Sequence, residues 1–143
     1  MLDNTGRHRE AGLLLLRVGL GLCMICHGVP KLAGGPETWK TLGAAMGLLG
    51  LRFWPVGWGF LAGVVEALGG ALLMAGIFFR FTCLVLVFQM FVAILFHLHN
   101  SAPMMREFSR GYSHALELAV VFLALAVMGP GRYRMTGRRQ RRM

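Results

Sequence analysis

Four stretches of the chain are almost uniformly apolar, and polar positions are concentrated between them. We place these stretches at residues 11–29, 56–79, 81–98 and 113–128. A hydrocarbon core about 30 Å thick needs roughly 17–25 residues of helix, and a helix satisfies its own backbone there. The pattern therefore predicts an all-α, integral membrane four-helix bundle that forms a single transmembrane domain over residues 1–143.

The segment between the first two spans has a different pattern. Residues 37–49 are helical in tendency, but the stretch is short and is interrupted by glycine. Pro36 precedes it, at a position where a missing N–H costs a helix little. We expect a short surface or re-entrant helix here, which does not cross the membrane.

Composition and charge agree with a membrane location. The chain of 143 residues is 56% hydrophobic and 15% charged, which is more apolar surface than a soluble domain of this size covers. The net charge of +9 comes largely from six arginines after Pro130. A basic segment beside a membrane span fixes topology and contacts anionic lipid, so residues 130–143 are expected to form a cytoplasmic tail that does not bind nucleic acid.

The distribution of basic residues also predicts the orientation. Arg7 and Arg9 precede the first span, Arg80 separates the second from the third, and the arginine-rich tail follows the fourth. The other two loops hold fewer basic residues for their length, namely Lys31, Lys40, Arg52, Arg106 and Arg110. This bias places both termini in the cytoplasm.

Polar side chains gather in the half of the predicted bundle that faces away from the cytoplasm. They are His27, Lys31, Glu66, Gln89, His97, His99, His114 and Glu117. Side chains near a helix end can extend to water, but Glu66 and Gln89 lie too deep for that and must face the bundle interior.

Helical spacing supports an inward position for Glu66. At 100° per residue, it shares a face with Gly59, Gly63, Gly70 and Leu73, and small residues let a neighbouring helix approach closely. On the first span, Gly21, Met24, Gly28 and Lys31 share the face of Arg17. We expect Arg17 and Arg80 to have structural roles, with Arg17 paired to Glu66 or Glu117; the sequence leaves that choice open.

A further motif in the first span is Cys23-Met24-Ile25-Cys26-His27, which has the spacing of a c-type haem attachment site. Haem attachment requires an accessible segment, and this one lies inside an apolar helix. We therefore expect no covalent haem, and we interpret Cys23 and Cys26 as small apolar residues rather than as a reactive dithiol.

Two motifs relate the chain to a known family. H-G-x-x-K-L ends the first span (His27, Gly28, Lys31, Leu32), and E-x-x-G-G-x-x-L-x-x-G-x-x-x-R ends the second (Glu66, Gly69, Gly70, Leu73, Gly76, Arg80). Over residues 12–99 the chain resembles the DoxX family of four-helix bacterial inner-membrane proteins. Some members are associated with thiosulfate-to-quinone oxidation and others with redox-stress assemblies. The resemblance implies the membrane subunit of a redox system that is linked to quinone, sulfur or thiol chemistry.

A quinone site needs an apolar slot and a proton donor, and the polar residues can supply the donor. We expect Glu66, His27 and Glu117 to exchange protons, and Lys31, Gln89, His97 and His114 to contact the ligand. The chain carries no secure flavin, haem or iron–sulfur motif, so an oxidoreductase role requires a redox partner protein. Whether the chain is itself an enzyme, and whether it forms a homo-oligomer, stays open.

Two other classes of function are compatible with the sequence. The histidines and Glu117 could hold a divalent metal ion. Alternatively, the protein is a non-catalytic carrier, or a scaffold for the assembly of another membrane protein. The discriminating feature is a cavity beside Glu66: an opening to lipid favours quinone, whereas a fully packed bundle favours a scaffold.

Overall fold

The computed structural model describes residues 4–100 and 112–135, and these residues form five α-helices. The helices are α1 (Asn4–Ala33), α2 (Gly35–Gly43), α3 (Pro55–Ala75), α4 (Phe79–Asn100) and α5 (Ser113–Met128), with a 3₁₀ helix (Ala44–Leu49) directly after α2. The described residues contain no β-strand. The predicted all-α membrane fold is therefore confirmed.

Three of the helices are long and apolar enough to cross a membrane. They are Gly6–Ala33, Pro55–Ala75 and Phe79–His99, and the apolar α5 has 16 residues. α1 begins earlier than the predicted span, so Arg7 and Arg9 form part of its first turns. Arg106, Arg110 and the part of the predicted tail beyond residue 135 lie outside the described residues.

A close contact joins α1 to α3 through glycines. A Cβ atom on Gly21 would overlap the carbonyl oxygen of Gly70, and one on Gly28 would overlap the backbone of Ala67. The two glycine faces predicted from helical spacing therefore pack against each other. Their close approach fixes the register of α1 on α3, and this register determines which polar side chains meet.

α2 and the 3₁₀ helix do not cross the bundle but lie against the start of α3. The backbone of Gly43 contacts Pro55, and the backbone of Gly59 contacts Trp39. The indole Nε1 of Trp39 donates a hydrogen bond to the carbonyl oxygen of Lys31, at 2.8 Å. The prediction of a short helix that does not span is confirmed. We call this end of the bundle the α2 end.

The opposite end is closed by the segment that follows α5, and we call it the Arg17 end. Arg17 is 3% exposed, and its Nη1 donates to the carbonyl oxygen of Pro130 at 2.5 Å. The amide of Met135 donates to the carbonyl oxygen of Ala75 at 3.0 Å, so the chain after α5 is also tied to the end of α3. The expected pairing of Arg17 with Glu66 or Glu117 is wrong, because a main-chain carbonyl occupies its Nη1.

Arg80, the other arginine given a structural role, is exposed and lies beside Gly129, where α5 ends. Between the two ends, the side chains that fill the core come from all four long helices. They include Met24, Leu73, Cys83, Leu86, Phe122 and Leu125, each less than 2% exposed.

Candidate functional site

A cavity of about 440 Å³ lies between α3, α4 and the α2–3₁₀ segment, and we call it the inner cavity. Apolar side chains form most of its wall, including Leu42, Met46, Leu61, Ala62, Val65, Val85, Phe88, Val92 and Phe96. The polar side chains on the wall are those of Lys31, Trp58, Glu66, Gln89 and His97. A mostly apolar wall with a few polar groups is typical of small-molecule sites, and the volume lies in their usual range.

Glu66 is the most buried polar group of the inner cavity, with 2% of its surface exposed. Its Oε1 accepts two hydrogen bonds, from Lys31 Nζ at 2.5 Å and from Gln89 Nε2 at 3.4 Å. Its Oε2 is buried and has no hydrogen-bond partner. A buried polar atom without a partner costs free energy. Such a cost is commonly retained where the atom has a functional use.

The fold explains why Lys31 reaches Glu66. Lys31 is in the last turn of α1, and its carbonyl is held by Trp39 of α2. Because the glycines of α1 and α3 allow close packing, the two side chains meet across the helix interface. Lys31 keeps 29% of its side chain exposed, against 3% for Glu66. The ammonium group therefore has donors to spare beyond the one that Glu66 accepts.

The inner cavity reaches the lateral surface of the bundle. Leu61 of α3 and Phe88 of α4 line it and are 39% and 51% exposed. Both lie on helices that are long and apolar enough to cross a membrane. The rim formed by these two side chains therefore faces the region that lipid occupies, and this is the opening that favours a lipophilic ligand.

The structure brings together four of the residues that the sequence proposed for the site. Lys31, Glu66, Gln89 and His97 all line the inner cavity, and Gln89 Nε2 donates to Glu66 Oε1. The argument from helical spacing, which placed Glu66 on the inward face of its helix, is therefore correct.

Three other proposed site residues lie elsewhere. His27 and His114 are exposed and stack on each other with their ring centroids 5.8 Å apart, and Glu117 is exposed on α5. The Nδ1 atom of His27 is hydrogen-bonded to the carbonyl oxygen of Cys23 at 2.8 Å. The expected convergence of these side chains with Glu66 is wrong, because their positions on α1 and α5 point away from the cavity.

Within residues 4–100 and 112–135, no three histidine, cysteine or acidic side chains come close enough to hold a metal ion. The three cysteines are free; Cys23 and Cys26 are exposed, and Cys83 is buried.

Sequence reasoning missed the contribution of the α2–3₁₀ segment to the cavity wall. Leu42 and Met46 come from this segment, and Trp58 comes from the first turn of α3. The available signal was a short helix with glycines at its end, which allows close packing on α3.

The comparisons with known proteins agree with this fold and with the motifs. The DoxX family model matches residues 12–99, which is more than half of the chain. This range runs from α1 to the end of α4 and includes Lys31, Glu66, Gln89 and His97. No curated protein and no solved structure matches the chain. From the extent of the family match, together with the helical membrane fold, we conclude that the chain belongs to the DoxX family.

Proposed function

We propose that this protein is the membrane subunit of a redox system and that it binds a quinone in the inner cavity. The observation that supports the proposal most directly is the buried Oε2 of Glu66, an acceptor without a partner at an apolar cavity, to which the hydroxyl group of the reduced ligand, the quinol, can donate a hydrogen bond. The lateral rim at Leu61 and Phe88 gives a lipophilic molecule a route from the bilayer. A scaffold without a ligand was expected to have no cavity beside Glu66, so the inner cavity does not favour that alternative.

The polar groups at Glu66 suit the reduction of a quinone to a quinol, which takes two electrons and two protons. The Lys31 ammonium group can donate a hydrogen bond to one ligand carbonyl oxygen, and Glu66, after it takes up a proton, can pass that proton to the same oxygen. The second proton would reach the other carbonyl oxygen from water by way of His97. Gln89 orients Glu66 through its amide. The two electrons would come from a redox partner protein, because the sequence carries no secure cofactor motif of its own.

His97 extends the same set of residues toward the α2 end. It lines the inner cavity near the end of α4, where it can exchange protons between water and the cavity. Arg17 and Arg80 lie at the Arg17 end and would act on packing, not on the ligand.

For orientation, we propose a bacterial inner-membrane protein with both termini in the cytoplasm, because the basic residues concentrate at that side. The α2 end and the site would then face the periplasm. A reporter that is active only in the periplasm, fused after Met143, should stay inactive. Activity of that fusion would reverse the orientation.

Quinone binding can be measured through Trp58, whose indole lines the inner cavity. A variant that keeps Trp58 while Trp39 and Trp54 are changed to Phe isolates its fluorescence. A short-chain ubiquinone analogue added to this variant in detergent micelles should quench the fluorescence saturably. Quenching that rises linearly, as for simple partition into the micelle, would contradict the proposed site.

A matched pair of alanines on α3 tests whether the quinone occupies the inner cavity. Ala62 lines the cavity, whereas Ala71 is exposed and does not line it. Ala62→Phe should abolish saturable quenching by filling the cavity, and Ala71→Phe should leave it unchanged. Equal effects of the two substitutions would locate the quinone elsewhere.

A further inference from the structure

A second cavity, of about 480 Å³, lies at the α2 end, and we call it the outer cavity. Arg52 supplies a cationic side chain to its wall, and His99 supplies an imidazole. The rest of the wall is apolar or small, with Leu48, Leu51 and Pro55 between the 3₁₀ helix and α3. Gly43 and Phe96 line both cavities, so the outer cavity adjoins the inner one. It thus combines positive charge with apolar surface.

The positive charge of the outer cavity is not neutralised by the part of the chain that the structure describes. Arg52 and His99 are both exposed, and among the described residues neither forms a salt bridge. Among residues 4–100 and 112–135, no acidic side chain lines the cavity. An anionic group placed there would meet a guanidinium, which can bind a phosphate through two parallel hydrogen bonds.

The surroundings of the outer cavity are typical of a membrane–water interface. Phe53 and Trp54 lie between Arg52 and Pro55 in the chain and are 62% and 63% exposed. Aromatic side chains are enriched at the headgroup level of a bilayer, where one part of the ring is in lipid and the other near water. The cavity therefore lies at the depth at which lipid headgroups are found.

We propose that the outer cavity binds an anionic phospholipid, with the headgroup phosphate on Arg52 and His99. An acyl chain would follow the apolar surface of Leu48 and Leu51. A free inorganic anion would gain nothing from that apolar surface, so the wall favours a lipid. The inference is independent of the proposed quinone site, although the two cavities share part of their walls.

Native mass spectrometry of the full chain, delipidated and then titrated with phosphatidylglycerol, tests this assignment. The wild type should retain one phosphatidylglycerol with higher affinity than phosphatidylcholine of the same chain length. Arg52→Gln should weaken phosphatidylglycerol binding about fivefold, the effect expected for one basic side chain near a lipid surface. Arg52→Lys keeps the charge but not the two parallel hydrogen bonds, so it should lose less affinity than Arg52→Gln. Residual binding by Arg52→Lys would also show that a change at this position leaves the fold intact.

Lys40 provides the matched control, because it is an exposed cation on α2 that does not line the outer cavity. Lys40→Gln should leave phosphatidylglycerol binding unchanged. If Lys40→Gln and Arg52→Gln weaken phosphatidylglycerol binding equally, the effect comes from general surface charge and the proposed site is wrong.

Inorganic phosphate and the quinone assay separate the remaining outcomes. Inorganic phosphate at millimolar concentration should not displace phosphatidylglycerol; complete displacement would assign the cavity to a soluble anion instead. Arg52→Gln should retain saturable quenching of Trp58 by the quinone analogue. If Arg52→Gln loses lipid binding but retains quenching, the result supports the lipid site and leaves the quinone site unaffected. The two assays therefore show a failure of either proposal separately.

Discussion

The two ends of the bundle each bury a charged side chain, but they hold it in different ways. At the Arg17 end, the guanidinium donates to a main-chain carbonyl, that of Pro130, in a closely packed region. At the α2 end, the Glu66 carboxylate is held by the mobile side chains of Lys31 and Gln89, next to a cavity. Both groups also leave one polar atom without a partner, Arg17 Nε and Glu66 Oε2.

The comparison shows that burial alone does not identify a functional charge in a membrane protein. A charged side chain that is hydrogen-bonded to the backbone in a closely packed region joins segments of the chain and has no space in which to contact a ligand. A charge that is bonded to flexible side chains and lines an apolar cavity can change partner when a ligand enters. Under the proposed function, this distinction assigns Arg17 to packing and Glu66 to the site, and it can be tested at each end.

The largest effect is expected for Glu66→Gln, which keeps the shape of the side chain but removes the ionisable group. Quinone reduction, measured in membrane vesicles from cells that carry the variant gene in place of the original, should fall about 100-fold because a proton donor is lost. Stability should change little, since interhelical hydrogen bonds in membranes average about 0.6 kcal/mol.

Thermal unfolding in detergent supplies the control for this variant. If activity and the amount of folded protein fall together, Glu66 serves the fold and the contrast between the two ends disappears. Gln89→Glu is a further check at the same contact, because a second carboxyl group beside Glu66 should shift the pH at which quinone reduction is fastest.

A smaller effect, on stability rather than on activity, is expected for Arg17→Leu. The Pro130 carbonyl would lose its charged donor, and the free energy of unfolding should fall by about 2 kcal/mol. Arg17→Lys, which keeps a donor, should recover part of the loss. Quinone binding to the folded protein should stay at the wild-type level, as measured by Trp58 quenching. Weaker quinone binding at unchanged stability would place Arg17 in the site.

The smallest effect separates two histidines that the sequence placed in one site. His97 lines the inner cavity, whereas His27 stacks on His114 outside it. His97→Ala should weaken quinone binding by about tenfold, the value for one lost hydrogen bond of about 1.4 kcal/mol. His27→Ala should leave binding at the wild-type level. The reverse result would move the site to the exposed face shared by α1 and α5.

Much of the fold could be predicted because its main contact is encoded in small residues. Two of the glycines that share a face with Glu66, Gly63 and Gly70, meet the glycines of the Arg17 face in the α1–α3 interface. Helical spacing supplies this information without knowledge of the partner helix. Helical spacing does not give the relative position of two helices along the bundle axis, so the pairing of Lys31 with Glu66 was not predicted.

The errors have identifiable physical causes. Glu117 lies roughly 160° from the buried Ala115 around α5, at 100° per residue, so helical spacing would have excluded it from the site. His27 lies only about 40° from Lys31 around α1, and spacing alone does not exclude it. The bond from Arg17 to Pro130 had no comparable signal, because any residue after α5 could offer a carbonyl.

The same bond has a consequence for how the protein is made. Arg17 enters the membrane with the first helix, but its acceptor on Pro130 is synthesised 113 residues later. At about 5–20 residues per second, the delay lasts roughly 6–23 s. During that time the guanidinium must stay near water, lipid phosphate or the insertion machinery, because hydrocarbon gives it no partner. A ribosome that stops before Pro130 would therefore release a chain with an unpaired arginine in its first helix, and such a chain is a natural target for membrane proteases.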